Sequence, residues 1–256
     1  MKKYDVRRCR IIRRRQLSDN IFDFTAEAGE LAEKAVPGQF AQIAVPGKTL
    51  RRPISICEAN RQNQTLRFVF GVRGEGTAAL SKFHVGDFLD ILAPLGNGFS
   101  LGDISRRALF VGGGIGVPPL LLAAKHFGRN ATFAAGFRTR SSIILKDDFA
   151  SFGCKVIIAT DDGSYGHHGL VTDLLGSLEF DAVFACGPLP MLRAVRCIAS
   201  EHGVPCQLSL EERMACGIGA CHGCAVKLRH EDGTPYYGRV CRDGPVFDSR
   251  MLDKNF

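Results

Sequence analysis

The stretch MACGIGACHGC, residues 214–224, followed by GRVCRDGP, residues 238–245, decides how the C-terminal part of the chain folds. Its cysteines, Cys216, Cys221, Cys224 and Cys241, are separated by four, two and sixteen residues. The first three have the C-x4-C-x2-C spacing of plant-type [2Fe-2S] ligation. Each iron of such a cluster needs two thiolates, and Cys241 is the only cysteine after Cys224. The spacing therefore predicts a [2Fe-2S] cluster held by these four residues.

Three glycines, Gly217, Gly219 and Gly223, lie among the first three cysteines. Without a Cβ they let the loop bend tightly and bring N–H groups towards the sulfur atoms. A structural zinc site is the alternative, because a C-x2-C pair is typical of zinc ligation. The chain has only one such pair, and a glycine-rich C-x4-C extension suits a zinc knuckle poorly. The pattern favours the iron–sulfur cluster.

The composition is that of an ordinary globular protein of 256 residues with 45% hydrophobic content, long enough for two or three small domains. The formal net charge is +7, and many of the basic residues lie in the first fifteen positions. No nucleic-acid-binding motif accompanies them, so we expect a solvated strand face and no nucleic-acid partner. No apolar run reaches the length of a membrane span or follows the basic N-terminus as a signal peptide would. We therefore expect a cytoplasmic protein with no membrane association.

The remaining six cysteines are scattered through apolar or strand-like surroundings. In a cytosolic protein such residues are usually reduced core thiols rather than disulfides. They are Cys9, Cys57, Cys154, Cys186, Cys197 and Cys206.

Residues 1–101 have the pattern of an all-β domain, in which short alternating segments are separated by turn residues. The segments are Ile21–Ala26, Phe40–Ala44, Ile54–Glu58, Thr65–Val72 and Phe88–Leu92. Their regular spacing predicts a small antiparallel β-barrel. The turn PLGNGF, residues 94–99, is interpreted as closing the barrel.

Two motifs of this predicted barrel can bind phosphate. In Arg52-Pro53-Ile54-Ser55 an arginine precedes a strand, where it can hold a phosphate through paired hydrogen bonds. In the segment 69–77 a strand ends in a Gly-x-Gly turn and enters a short helix with Thr77 near its N-cap, where free N–H groups attract an anion. Each motif also has a purely structural interpretation. Residues 52–55 could be an edge strand that begins with a proline, and residues 69–77 could be a capped loop.

Residues 102–206 alternate between strand-like and helix-like segments, as in a parallel α/β domain. The strand-like ones are Ala108–Val111, Thr132–Gly136, Lys155–Thr160 and Ala182–Cys186; the helix-like ones are Val117–Phe127, Leu170–Leu175 and Pro188–Ala199. The run Gly112-Gly113-Gly114-Ile115-Gly116 joins strand to helix, the context of a dinucleotide-phosphate loop, although it departs from G-x-G-x-x-G. Cys186-Gly187-Pro188 follows another strand, where ligands of open α/β sheets bind.

The order of barrel, nucleotide domain and cysteine loop resembles the ferredoxin reductase superfamily. The motifs RRPIS, GEGT, PLGNGF, GGGIGVPP and EERMACGIGAC are similar to those of the electron transfer subunits of dihydroorotate dehydrogenase B. The resemblance runs almost the full length of the chain. It implies an FAD-binding barrel (1–101), an NAD-binding α/β domain (102–206) and a [2Fe-2S] domain (207–256).

The resemblance also implies which residues bind each cofactor. FAD would lie along Arg52, Pro53, Ile54, Ser55, Val69, Phe70 and Gly71, with its phosphates at Gly76 and Thr77. NAD would bind at Gly112, Gly113, Gly114, Gly116, Cys186, Gly187 and Pro188. Ile54 stands where many relatives have a tyrosine that stacks on the flavin. No residue of this chain is expected to be catalytic in its own right.

The resemblance further implies an electron transfer subunit of an NAD-linked oxidoreductase of pyrimidine biosynthesis. An iron–sulfur cluster passes single electrons and NAD accepts a hydride, so FAD must connect the two. The chain has no length left for an FMN-binding (β/α)8 barrel, so dihydroorotate would be oxidised on a partner subunit that contains FMN. The expected complex is a heterotetramer of two subunits of each kind.

Two other functions remain open. One is a subunit of another flavin and iron–sulfur reductase, such as a sulfide dehydrogenase or a ferredoxin–NAD(P) transhydrogenase. The other is a zinc-stabilised nucleotide-binding module without catalysis.

NAD is expected in preference to NADP. The segment Lys155–Thr160 is followed by Asp161 and Asp162, whose carboxylates can accept a hydrogen bond from a ribose hydroxyl but repel a 2′-phosphate. Arg138 and Arg140 follow the neighbouring strand and could supply opposing positive charge. We interpret them as part of a solvated loop.

Overall fold

The structure is a computed structural model that describes residues 4–253 and residue 256. The described chain divides into two compact units. Within the described residues, the first unit comprises 4–98, 211–225 and 239–245. The second unit comprises 99–210, 226–238, 246–253 and residue 256. Lys2 and Lys3, which belong to the basic N-terminal segment, lie outside the described residues.

The first unit contains a closed six-stranded antiparallel barrel in the order β1-β2-β5-β4-β3-β6. Its strands are β1 (Asp5–Ser18), β2 (Ile21–Glu27), β3 (Phe40–Ile43), β4 (Arg52–Asn60), β5 (Thr65–Gly71) and β6 (Phe88–Leu95). The helices α1 (Glu30–Lys34) and α2 (Glu75–Leu80) lie in the connections. The barrel predicted from alternating apolar residues is confirmed, and the basic N-terminal segment forms its long first strand.

The barrel interior is apolar and fully closed. Residues that alternate along each strand meet inside, among them Ile11, Phe24, Ile43, Ile56 and Phe68, each no more than 1% exposed. Alternation also sends every second side chain outwards. The outward face of β4 carries Pro53 and Ser55, which are half-buried.

One polar network is buried on the outer face of β2 and β5. The side chain of Asp23 is completely buried and accepts hydrogen bonds from Arg67, at 3.0 Å to each oxygen, and from Arg15, at 2.7 and 3.1 Å. Burial opposes ionisation of Asp23, but the hydrogen bonds and positive charge of Arg67 and Arg15 outweigh it and lower the pKa of the carboxyl. This network ties β1, β2 and β5 together.

The second unit is built on a seven-stranded sheet in the order β10-β9-β8-β7-β11-β12-β15. Its strands are β7 (Ala108–Gly113), β8 (Ala131–Phe137), β9 (Lys155–Thr160), β10 (His167–His168), β11 (Ala182–Cys186), β12 (Cys206–Ser209) and β15 (Val246–Asp248). All neighbours are parallel except β12 and β15. The strand order reverses between β7 and β11, the kind of point at which open α/β sheets bind ligands.

Helices connect the parallel strands: α3 (Leu121–Phe127), α4 (Lys146–Ser151) and α5 (Leu189–Glu201). Stacked rings fill the core between strands and helices, with Phe133 against Phe149 and Phe110 against Phe184. The segment expected as a helix at Leu170–Leu175 is instead a 3-10 helix, Val171–Ser177. Its turns close through i→i+3 bonds, and the Asp173 carboxylate accepts the Leu170 N–H at 2.8 Å, which holds the tighter winding.

Further short elements complete the fold. The hairpin strands are β13 (Ala225–Arg229) and β14 (Pro235–Arg239), and 3-10 turns occur at Gly114–Gly116, Pro118–Leu120, Gly128–Asn130, Arg140–Ser142 and Ser249–Met251. Asp253, almost buried, pairs with Arg229 at 2.9 Å within the second unit. None of the helices in the described part of the chain has the length and apolarity needed to cross a lipid bilayer.

Candidate functional site: an iron–sulfur loop on a flavin-type barrel

The four cysteines expected as cluster ligands come together as two pairs of thiols. Backbone N–H groups of Ala220 and Cys221 donate to Cys216 Sγ at 3.3 and 3.4 Å, and the Cys221 thiol also donates a hydrogen bond to Cys216. The N–H of Cys241 donates to Cys224 Sγ at 3.4 Å, and the two side chains contact each other. Two pairs match the need of each iron in a two-iron cluster for two thiolates.

The two pairs differ in exposure. Cys224 and Cys241 are 2% exposed, whereas Cys216 is half-buried and Cys221 is exposed. Among the described residues, no three histidine, cysteine or acidic side chains meet around one metal ion. None of the ten cysteines, all of which lie within residues 4–253, forms a disulfide in the structure.

The local environment lowers the pKa of one cysteine and raises that of another. Burial opposes ionisation of Cys216, but hydrogen bonds from the N–H groups of Cys221, Ile218 and Ala220 lower its pKa to about 6. Burial, together with the neighbouring Cys224, raises the pKa of Cys241 to about 12. The loop before Cys221 thus stabilises a thiolate, and the same N–H groups suit a thiolate that ligates iron. The residues present fit the expected cluster.

The Cys241 segment is held by the turn after β6. Asn97 donates from its side-chain amide to the carbonyls of Arg242, at 3.0 Å, and Asp243, at 3.2 Å, and from its backbone to Gly244 at 2.6 Å. A Cβ on Gly96 would lie 2.5 Å from Pro245 Cδ. The turn expected to close the barrel therefore also anchors the segment of the fourth cysteine, a role that the sequence analysis missed.

Arginine side chains brace the cluster loop from the same segment. Arg239 donates to the carbonyl of Gly219 at 3.0 Å and pairs with Asp243 at 3.3 Å. A Cβ on Gly219 would lie 2.8 Å from Arg242 Cδ. These contacts join residues 216–224 to residues 239–243 across the cluster site.

The two expected phosphate-binding motifs of the barrel lie together. Arg52 opens β4, and its guanidinium lies against Gly76 in α2, where an added Cβ would be 2.6 Å from Arg52 Cζ. Thr77 Oγ1 accepts the N–H groups of Arg73 and Gly74 at 2.9 and 3.3 Å. The arginine and the start of α2 therefore lie at one corner of the barrel, where Glu75 pairs with Lys48.

The other barrel residues expected at the flavin divide into two groups. Pro53 and Ser55 are half-buried and alternate with inward residues of β4, so they lie on its outer face. The side chains of Ile54 and Phe70 belong to the barrel core, with Phe70 at 5.2 Å from Phe24, ring centre to ring centre. Any contact from these two residues to a ligand outside the barrel comes from their main chain.

The two loops expected to bind nucleotide touch each other at the ends of adjacent strands. Gly112 on β7 pairs with Cys186 on β11. A Cβ on Gly113 would lie 2.6 Å from Pro188 Cδ, and one on Gly116 would lie 2.7 Å from the Cα of Gly187. Glycine is therefore required for the close approach of the loops, and the pair forms a single surface at the reversal of strand order.

The ends of β8 and β9 form a shallow pocket of about 540 Å³, lined by Thr139, Arg140, Ser141, Asp162 and Ser164. Asp162 accepts from Ser164 Oγ at 2.6 Å and from its N–H at 3.0 Å. Hydrogen bonds from Ser164 lower the pKa of Asp162, so the carboxylate is charged at neutral pH. Arg140 lines the same pocket, and its guanidinium lies 5.8 Å from the Tyr165 ring centre.

Residues 211–253 match the model of a family described as the iron–sulfur cluster binding domain of dihydroorotate dehydrogenase B. The chain is 43% identical over 244 residues to the dihydroorotate dehydrogenase B (NAD(+)) electron transfer subunit of Caldanaerobacter subterraneus subsp. tengcongensis, covering 94% of this chain and 95% of the relative. The protein of the same name from Streptococcus mutans is 40% identical over 251 residues, covering 94% of this chain and 96% of that one. The chain belongs to this family.

Two solved structures are similar to the fold of this chain. An NADH-dependent reduced ferredoxin-NADP oxidoreductase, described in work on flavin-based electron bifurcation, is 30% identical with a TM-score of 0.83 and covers 96% of this chain and 90% of its own. The ferredoxin reductase of carbazole 1,9a-dioxygenase is 21% identical with a TM-score of 0.67 and covers 79% of this chain and 67% of its own; it shows the shared fold. The expected family and fold are confirmed. As a member of a family of electron transfer subunits, the chain works with a separate catalytic subunit.

Proposed function

We propose that this chain carries electrons from dihydroorotate oxidation on a partner subunit, through a [2Fe-2S] cluster and FAD, to NAD in pyrimidine biosynthesis. The observation that carries the proposal is the pairing of four thiols in the segment that matches the iron–sulfur family model. When bound, the cluster supplies single-electron transfer and FAD links it to hydride transfer.

The cluster is held by Cys216, Cys221, Cys224 and Cys241. N–H groups around Cys216 favour its thiolate, and the Asn97 turn keeps the Cys241 segment in place. The functional division of the sequence into an FAD segment (1–101), an NAD segment (102–206) and a cluster segment (207–256) is part of the proposal.

FAD lies on the outer face of the barrel. Arg52 binds its phosphates together with the backbone at Gly76 and Thr77, which the contact of Arg52 with Gly76 supports. Pro53 and Ser55 face the flavin ring with their side chains. Ile54, Val69, Phe70 and Gly71 line the same surface, and Ile54 and Phe70 do so with their main chain because their side chains fill the core.

NAD binds at the joined glycine loops of the second unit. Gly112, Gly113, Gly114 and Gly116 from the β7 loop, and Cys186, Gly187 and Pro188 from the β11 loop, form its binding surface. The charged Asp162 in the pocket beyond β9 favours a free ribose hydroxyl over a 2′-phosphate.

The partner contains FMN and oxidises dihydroorotate, and the complex contains two copies of each subunit in the cytoplasm. The relatives are named as electron transfer subunits, which supports a separate catalytic subunit for the oxidation of the substrate.

Co-purification with activity tests the proposal. The chain is co-expressed with a dihydroorotate-oxidising FMN subunit and purified through a tag on this chain alone. We expect a complex with flavin absorbance and a [2Fe-2S] EPR signal on reduction, which reduces NAD when dihydroorotate is added. A complex with both cofactors that fails to reduce NAD with dihydroorotate would refute the function.

A second candidate follows from the solved structure at 30% identity, a ferredoxin-NADP oxidoreductase. In that case reduced ferredoxin, rather than dihydroorotate, would supply the electrons. The same preparation separates the two functions, because each donor can be supplied alone and NADH or NADPH formation followed by absorbance.

A further inference from the structure

Gln42 lies on the outer face of the barrel between the two proposed cofactor surfaces. It belongs to β3, where its neighbours Ala41 and Ile43 face the core. The register pairs Gln42 with Pro53, the second residue of the flavin motif on β4. Gln42 therefore projects outwards beside the strand that we propose for FAD.

The side-chain amide of Gln42 is buried without a hydrogen-bond partner. The residue is 0% exposed, and within the described chain neither Oε1 nor Nε2 has a partner. Folded proteins satisfy almost all buried polar groups, because an unpaired one loses its bonds to water without compensation. The Gln42 amide therefore has a donor and an acceptor available for a bound group.

The surface that Gln42 faces is the cluster loop. A Cβ on Gly217 would lie 2.6 Å from Gln42 Cγ and 2.8 Å from Gln42 Nε2. Gly217 also has a φ of +72°, which a residue with a side chain rarely adopts. Glycine at this position lets the glutamine amide reach the backbone beside Cys216, the first proposed ligand.

We propose that the Gln42 amide donates a hydrogen bond to a sulfur atom of the bound [2Fe-2S] cluster on the Cys216 side, and so acts as a positioning residue that raises the cluster's reduction potential. This inference rests on the proposed function. The reduced cluster carries one more negative charge than the oxidised one, so an N–H donor stabilises the reduced state more. The Gln42 amide is buried against the cluster loop and is not exposed beside Pro53 on the neighbouring strand β4. We therefore assign it to the cluster and not to the flavin.

The test uses Gln42→Met in the intact complex, because methionine keeps the length of the side chain and removes the donor. The cluster potential is measured by EPR-monitored redox titration and the flavin potential by visible absorbance. Proton ENDOR of the reduced cluster in H2O and D2O counts exchangeable hydrogens near it. We expect a more negative cluster potential, an unchanged flavin potential and the loss of one exchangeable-proton coupling.

Thr25→Val is the matched control. Thr25 Oγ1 is also buried without a partner, but it lies on β2, three strands from β3 in the closed barrel. We expect Thr25→Val to leave the cluster potential and the ENDOR couplings unchanged. A shift equal to that of Gln42→Met would mean that the potential responds to the barrel in general, and the proposal would be wrong.

Two other results for Gln42→Met would contradict the proposed role of Gln42. An unchanged cluster potential in Gln42→Met, or a shift in the flavin potential alone, overturns the proposal. If Gln42→Met does not fold, Gln42→Leu also removes the amide donor without adding a charge or a new donor, and it must lower the cluster potential. A wild-type complex without a [2Fe-2S] signal would refute the proposed function itself, which separates that failure from a failure of the role of Gln42.

Discussion

Replacing Asn97 with alanine should loosen the segment that carries Cys241 while leaving the cysteines in place. The change removes the two side-chain hydrogen bonds to the carbonyls of Arg242 and Asp243 and keeps the backbone bond to Gly244. At ~0.5–1 kcal/mol net for each bond on an exposed side chain, the local loss is about 1–2 kcal/mol. Such a loss raises the population of the locally opened segment about 5- to 30-fold.

The assay is the rate at which the cluster's visible absorbance bleaches in the presence of an iron chelator. If release of iron requires opening of this segment, the rate should rise by the same ~5- to 30-fold factor. Asn60→Ala is the control, because Asn60 accepts a single hydrogen bond from Asn63 in the β4–β5 turn. A wild-type bleaching rate in Asn97→Ala, or an equal acceleration in Asn60→Ala, would refute the reasoning.

Three further predictions concern the cofactors and a fourth concerns stability. Cys241→Ser should abolish the cluster because one iron loses a thiolate; a normal iron and sulfide content with an unchanged EPR signal would remove it from the ligand set. Arg52→Ala should weaken FAD by about 1.5–3 kcal/mol, roughly tenfold or more in affinity, and unchanged FAD content after extensive dialysis would contradict this. Asp162→Arg should move the ratio of kcat/KM for NAD over NADP towards NADP, and an unmoved ratio would place the ribose elsewhere. Asp23→Asn removes the carboxylate that pairs with the buried Arg67 guanidinium at 3.0 Å, while Glu58 stays at 3.7 Å, and should cost about 3–5 kcal/mol of stability, seen as a lower Tm. Because the pKa of Asp23 is lowered in the folded state, its contribution is complete above about pH 4 and is lost as the pH falls through the folded-state pKa. The Tm of the wild type should therefore fall more steeply with acid than the Tm of Asp23→Asn, and an equal fall in both would contradict this.

Sites that depend on neighbours in the sequence or on strand order could be predicted from the sequence. The first three cysteines lie within nine residues of each other, so their spacing alone constrains the loop that holds them. Gly112 and Cys186 are distant in sequence, but both end strands of a parallel sheet, and the carboxyl ends of parallel strands share one edge. The observed register between them follows from that rule.

Contacts that depend on the exact packing of distant segments could not be predicted. Asn97 bonds to residues more than 140 positions away, and its own surroundings in the sequence indicate only a turn. Gln42 occupies an ordinary outward position of a short strand, and nothing in residues 40–43 shows that a glycine of the cluster loop lies over it. Such contacts appear only when the three-dimensional fold brings both partners together.

The proposed cluster ligands and the proposed flavin residues belong to the same compact unit. Residues 211–225 and 239–245 carry all four cysteines and belong to the same unit as the barrel, whereas the hairpin between them belongs to the other. The proposed flavin residues Arg52 and Ser55 lie in that first unit too. If the cluster and the flavin bind at these proposed sites, contacts inside one unit would set their separation, such as those of Asn97 with Arg242 and of Gln42 with Gly217. Since the packed interior of a compact unit resists deformation, the two proposed sites would then keep a constant separation during electron transfer.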